Sequence, residues 1–154
     1  MNNTSSSAPR HFWCLRIAAA LIQAAALLPQ GAWAADAAVL PAEQESQGVS
    51  YVTGGVSLDE STAIKAAMSG YPLVVEVYRN AGGKNDYTAS SELTITAAKG
   101  GKVFSTAMQG PFALLRLKPG RYQIKVDYEG QSKQRSIQVR AGGSSHATFV
   151  FSGG

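Results

Sequence analysis

The sequence predicts an all-β fold, an antiparallel seven-stranded β-sandwich preceded by one short helix. Downstream of Tyr71, apolar and polar residues alternate with a period of two, as they do in strands that bury one face. The links between these segments are short and rich in glycine, so consecutive strands are expected to run antiparallel. Two sheets that pack their apolar faces together satisfy both observations.

The N-terminus has the pattern of an export signal. A cationic lead is followed by an apolar run over residues 17–28 and by the small-residue end Ala32-Trp33-Ala34. This order predicts a cleavable signal peptide over residues 1–34. A retained anchor is the alternative, but roughly 20 apolar residues are needed to span a bilayer. We therefore expect an exported protein that folds outside the cytoplasm, with no membrane span after cleavage.

Composition excludes several classes of function for the processed chain. Loss of Arg10 and Arg16 with the signal lowers the net charge from +4 to +2, and the remaining charges are scattered, which argues against nucleic-acid binding. The only cysteine, Cys14, lies in the signal. Disulfides, thiolate catalysis and cysteine metal sites are therefore excluded after cleavage.

The processed chain is expected to begin with a flexible lead-in, residues 35–48, followed by one domain, residues 49–154. Ser57 and Glu60 form a capping box, which predicts a helix over about residues 57–69. Gly70 then ends the helix. Its small apolar stripe indicates a lid on one end or edge of the sheet, and a partner-docking helix is the alternative.

About seven strands are expected within residues 71–151. The clearest one places Tyr122, Ile124, Val126 and Tyr128 on one face, with charged and polar residues on the other. The segment Lys118-Pro119-Gly120-Arg121 before it fits a type II turn. The predicted strands cover residues 71–79, 91–98, 103–107, 112–117, 121–129, 132–140 and 146–151.

The longest gap between predicted strands covers residues 80–90. Long loops on a rigid sandwich often carry binding residues. The candidate recognition residues are Lys84, Asn85, Asp86 and Tyr87, an aromatic side chain beside hydrogen-bonding neighbours. An ordinary solvated crossover between the sheets is the alternative.

Residues 110–126 resemble the carboxypeptidase regulatory-like family. The family motif Leu-x-Pro-Gly-x-Tyr-x-Val is matched by Leu117, Pro119, Gly120 and Tyr122, and the likeness extends over roughly residues 71–151. The resemblance implies a transthyretin-like (prealbumin-like) sandwich in which these residues form a turn and part of the core. The chain is also similar to small exported proteins of Gram-negative bacteria that carry this module alone. This resemblance implies a periplasmic location, with secretion as the alternative.

Three charged or polar groups are weighed as functional sites. His146, near Ser144 and Ser145, lacks the spacing of a catalytic triad. Asp127 and Glu129 share a strand face, but the sequence places no third ligand for a cation there. The alternation of their strand places Lys133 and Arg135 on its inward face. Charges at such positions predict an edge strand carrying protective charge, with an anion-binding rim as the alternative.

These observations lead to a functional hypothesis with no catalytic residue, no metal ligand and no cofactor. We expect a non-catalytic binding or structural module of the periplasm, whose partner is an unknown envelope protein or glycan. An enzyme or enzyme inhibitor acting on an envelope substrate is the alternative. Clustered histidines, cysteines or paired carboxylates would favour the alternative, and the sequence has none of these patterns.

Overall fold

Ten strands in two sheets make up most of the chain that the structure describes. This structure is a computed structural model, which describes residues 39–88 and 90–153 apart from the side chain of Asn85. The predicted signal peptide lies outside these residues. The strands are β1 (Gln44–Ser46), β2 (Val49–Gly54), β3 (Leu73–Ala81), β4 (Lys84–Tyr87), β5 (Ser91–Ala97), β6 (Lys102–Met108), β7 (Phe112–Leu115), β8 (Gly120–Tyr128), β9 (Gln131–Val139) and β10 (Ser145–Ser152).

The two sheets have six and four strands. The larger has the order β1-β2-β7-β3-β10, with β4 also paired to β3, and the smaller has the order β6-β5-β8-β9. All pairs are antiparallel except β3 with β10, which is parallel. The purely antiparallel prediction is therefore wrong for β10. Its link from β9 crosses from one sheet to the other, so the short connection does not set its direction relative to β3.

The main core lies between the sheets and confirms the all-β prediction. The alternation in β8 is as expected, with Tyr122, Ile124, Val126 and Tyr128 buried. They pack in one cluster with alternate residues of β3 and β10, including Val75, Val77, Phe149 and Phe151. The charged inward positions of β9 also lie as predicted, on an edge strand.

The middle of the six-stranded sheet is buried on both faces, because a helix covers its outer side. In β7, Ala113 and Leu115 face the main core, whereas Phe112 and Leu114 join a second cluster with Ile64 of the helix. This double burial explains why Phe112–Leu115 is apolar throughout. The helix covers a sheet face, rather than the end or edge that the sequence indicated.

The helix α1 covers Leu58–Ala67 and continues as a 3₁₀ turn, Met68–Gly70. Ser57 Oγ accepts a hydrogen bond from the Glu60 N–H at 3.2 Å, as the capping box predicts. The Glu60 carboxylate does not complete the box. It accepts instead from the N–H groups of Gly55 and Val56, at 2.9 and 3.0 Å, and so fastens the β2–α1 link to the helix.

Three strands, β1, β2 and β4, were not among those predicted. β1 lies within the expected lead-in, where no alternation marks it, and pairs with β2. Tyr51 donates to Gln44 Oε1 at 3.1 Å, and Glu43 forms an ion pair with Arg116 at 2.8 Å. A tight hairpin through Gln47 and Gly48, both with positive φ, thus orders β1, and the Glu43–Arg116 ion pair joins the segment to a residue distant in sequence.

Candidate functional site

An aromatic cluster on the outer face of the six-stranded sheet, beside α1, is the candidate site. Tyr87 lies between Tyr78 and Phe112, with ring centroids 5.5 and 5.4 Å away. Phe112 is fully buried, whereas Tyr87 is 47% exposed. The cluster, defined as Tyr78, Tyr87 and Phe112, thus presents one aromatic ring to solvent on a buried aromatic base.

A tight hairpin places Tyr87 in this cluster. Gly82 and Gly83 have φ values of 58° and 84°, the pair of positive values that a type I′ turn requires. The turn sets the register of β3 with β4, so that Tyr87 lies opposite Tyr78. At the end of β4 the buried Thr88 hydroxyl donates to the Val77 carbonyl at 3.2 Å. The exposed ring is therefore held by backbone pairing and a buried anchor.

A lysine from the helix completes the cluster. Lys65 Nζ donates to the Tyr87 hydroxyl at 2.8 Å. The same ammonium lies 5.5 Å from the centroid of the Tyr87 ring and 5.7 Å from that of Phe112, within the range of cation–π attraction. A positive charge therefore lies at the edge of the aromatic surface, available to a partner from the solvent side.

A carboxylate, that of Glu76, lies beside Tyr78 of the cluster. The Tyr78 hydroxyl donates to Glu76 Oε2 at 3.2 Å. Burial, followed by the nearby negative charge of Glu76, raises the pKa of the Tyr78 phenol well above its ordinary value. The Tyr78 phenol therefore stays protonated to a higher pH than an ordinary tyrosine does. The surface combines an ammonium, a carboxylate and two phenols around one exposed ring, which suits recognition of a polar partner with an apolar face.

The structure separates the four candidate recognition residues. The predicted loop over residues 80–90 is a hairpin, because β3 extends to Ala81 and β4 takes up Lys84–Tyr87. Tyr87 belongs to the aromatic cluster. Lys84 and Asp86 are exposed at alternating positions that do not share its face, and the side chain of Asn85 is not described.

The motif at residues 117–122 has a different local structure from the predicted turn. Leu117 and Tyr122 lie in the main core. Gly120 does not have the positive φ that a type II turn requires, and begins β8 instead. The Tyr122 hydroxyl donates back to the Lys118 carbonyl at 2.9 Å. A Cβ on Gly120 would lie 3.3 Å from the Tyr122 ring, so glycine leaves room for the hydrogen bond from the Tyr122 hydroxyl to the Lys118 carbonyl. Pro119 is exposed.

Ser144, His146 and Asp127, which were also weighed in the sequence, have local partners. Ser144 Oγ lies 3.3 Å from His146 Nε2 but donates its proton to the Met68 carbonyl at 3.2 Å, so the pair is not arranged as nucleophile and base. Asp127 forms an ion pair with Lys125 at 2.9 Å. Hydrogen bonds from Ser132 and then Lys125 lower the pKa of the Asp127 carboxyl. Within residues 39–88 and 90–153, no three histidine, cysteine or acidic residues are grouped as metal ligands.

Sequence reasoning missed Lys65, Glu76 and Tyr78. The sequence does contain a signal for Tyr78 and Glu76, the Gly82-Gly83 pair. A two-residue hairpin centred on these glycines places Tyr87 opposite Tyr78, and Glu76 then lies on the same face. Lys65 carries no such signal, since its position over the sheet depends on how the helix docks.

Neither a protein-family model nor a curated protein matches the chain. Among the helices that the structure describes, none has the length and apolar character needed to cross a bilayer.

Proposed function

We propose that this chain is a non-catalytic binding or structural module that acts in the periplasm of a Gram-negative bacterium. In this proposal it is a carboxypeptidase regulatory-like domain with a prealbumin-like sandwich, and its partner is an envelope protein or glycan. The N-terminal export pattern supports the location. The family motif at Leu117, Pro119, Gly120 and Tyr122 supports the kinship.

The aromatic cluster is the observation that carries this function. Tyrosine provides a large contact area at low cost in side-chain entropy and is enriched where proteins bind partners. Tyr87 is already held by Lys65 and by two aromatic neighbours, so little of its motion is lost on binding. An exposed aromatic ring that is held in place in this way is typical of a recognition surface.

Removal of the Tyr87 ring tests the proposal. The full chain with a C-terminal tag is produced in a Gram-negative host, and the processed protein is recovered from the periplasmic fraction. We expect Tyr87→Ala to reduce retention of envelope proteins or co-sedimentation with peptidoglycan about tenfold, the loss typical of an interface anchor. Quantitative mass spectrometry measures the retained envelope proteins, and sedimentation measures the fraction bound to peptidoglycan.

Asp86→Ala is the matched control, because Asp86 is the exposed neighbour of Tyr87 on the opposite side of β4. It should leave binding unchanged. The proposal fails if both variants bind as the wild type does, or if the chain stays in the cytoplasm. Turnover of an envelope substrate that persists without partner binding would favour the enzyme alternative.

A further inference from the structure

A second surface lies where the two sheets end side by side, at the strands β9 and β10. Each is the last strand of its sheet, so each has one edge without a strand partner among the described residues. A groove of about 360 Å³ runs between them. Its lining residues are Lys133, Gln134, Arg135, Thr148, Phe149 and Val150.

Two cations from β9 reach across this groove. Lys133 Nζ donates to the Val150 carbonyl and lies 5.4 Å from the centroid of the Phe151 ring. The Arg135 guanidinium lies 5.9 Å from the centroid of the Phe149 ring. Among the described residues, no hydrogen-bond or ion-pair partner meets this guanidinium. Its planar donors are therefore free to bind a carboxylate in a bidentate manner.

The two strands that form the groove contain cations and no acidic residue. From residue 130 to the end of the chain the sequence contains no aspartate and no glutamate, while it contains Lys133, Arg135 and Arg140. Both strands of the groove fall within this segment. An acidic ligand would thus meet two cations without a competing carboxylate on either strand.

The backbone of β10 adds a second recognition element. The carbonyls of Val150 and Ser152 point to the open edge, where they accept from Lys133 and from Gln131 Nε2, the latter at 2.9 Å. The N–H of each residue points to the same side as its carbonyl, so the edge also presents donors. An extended peptide matches such a row of alternating donors and acceptors, and it adds as a further strand.

The spacing of the two cations matches an extended chain. Lys133 and Arg135 are two residues apart on one strand, which separates their Cα atoms by roughly 6.5–7 Å. Alternate side chains of an extended peptide have the same separation. We propose that the groove between β9 and β10 binds an extended acidic peptide, with alternate carboxylates at Lys133 and Arg135 and its main chain along β10. Lys133 then exchanges the Val150 carbonyl for a carboxylate, and that carbonyl accepts from the peptide.

Fluorescence anisotropy with a labelled peptide of four alternating Glu-Thr pairs tests this site. We expect saturable binding that weakens as salt rises, because it depends on charge. Lys133→Gln with Arg135→Gln should weaken binding at least about tenfold, since each lost charged hydrogen bond costs roughly that factor. Glutamine removes the charge and keeps a polar N–H donor at each of the two positions.

The matched control is Lys99→Gln with Lys102→Gln, which also removes two positive charges. These lysines lie in or beside β6, the edge of the four-stranded sheet opposite β9. The control should change binding less than about twofold if the groove is the site, because distant exposed charges are screened. Equal losses in both double variants, or no saturable binding to the wild type, would overturn the proposal. A peptide with its glutamates in one block, or polygalacturonate, binding as tightly as the alternating peptide would also overturn it, because either result indicates general attraction of polyanions.

Discussion

Single glycines decide where segments of this chain can approach one another. A Cβ on Gly110 would lie 2.3 Å from the Gly54 carbonyl oxygen, and one on Gly55 would lie 2.3 Å from the Phe112 ring. The first contact is with backbone, which cannot turn aside as a side chain can. The packing of the β2 end against the start of β7 therefore depends on the absence of a side chain at Gly110.

Gly110→Ala should destabilise the protein by about 1–3 kcal/mol, the usual cost of overpacking a tight site. Urea unfolding followed by circular dichroism measures the change. Gly143→Ala is the control, because Gly143 is exposed and lacks a positive φ, and a Cβ added there would meet no atom within 4 Å. Equal stability of the two variants would contradict the close approach.

Tyr78 is the residue whose ionisation the fold changes most clearly. Its raised pKa means that folding favours the neutral phenol. The resulting stabilisation is fully present below the unfolded-state value of about 10 and is lost as the pH rises through the higher folded-state pKa.

An alkaline titration followed by tyrosinate absorbance should therefore show a late component in the folded protein. We expect Tyr78→Phe to diminish this component, and we expect the protein unfolded in urea to lack it. A late component of unchanged size in Tyr78→Phe would show that Glu76 and burial do not act on this phenol.

At the scale of elements, the helix α1 acts as a cover for the six-stranded sheet. Its burial depends mainly on Ile64, which is fully buried with Val52, Val74 and Leu114. The same docking brings Lys65, the next residue, over Tyr87. Packing of one face of α1 thus positions the cation of the candidate site.

Ile64→Ala should lower the free energy of unfolding by about 2–5 kcal/mol through the cavity it leaves. Leu58→Ala in the same helix should change it by less than about 0.5 kcal/mol, because Leu58 is 80% exposed. Denaturant unfolding measures both. A similar loss in the two variants would mean that the helix does not dock through Ile64.

At the scale of the whole molecule, the two ends of the six-stranded sheet differ in length and in cover. The end of the six-stranded sheet at β1 is a three-residue strand, which leaves little backbone to pair with another chain. The opposite end, β10, has eight residues and is covered in part by side chains of β9. The proposed peptide groove is at the longer of these two edges, where Lys133 and Arg135 of β9 lie over β10.

The sequence alone determined the elements whose signal is local. Alternation in β8 and the capping residue Ser57 predicted a strand and a helix start correctly, because burial of one strand face and satisfaction of a helix N-terminus depend on near neighbours. The parity of Lys133 and Arg135 likewise predicted an edge strand.

Only the tertiary structure decided what depends on distant residues. The parallel pairing of β10 with β3 and the meeting of Lys65 with Tyr87 each join segments far apart in sequence, and no local pattern names the partner. Alternation states that a strand has a buried face but not which strand lies beside it. That choice follows from how the sheets and the helix pack together, since the same apolar face can be buried against several neighbours.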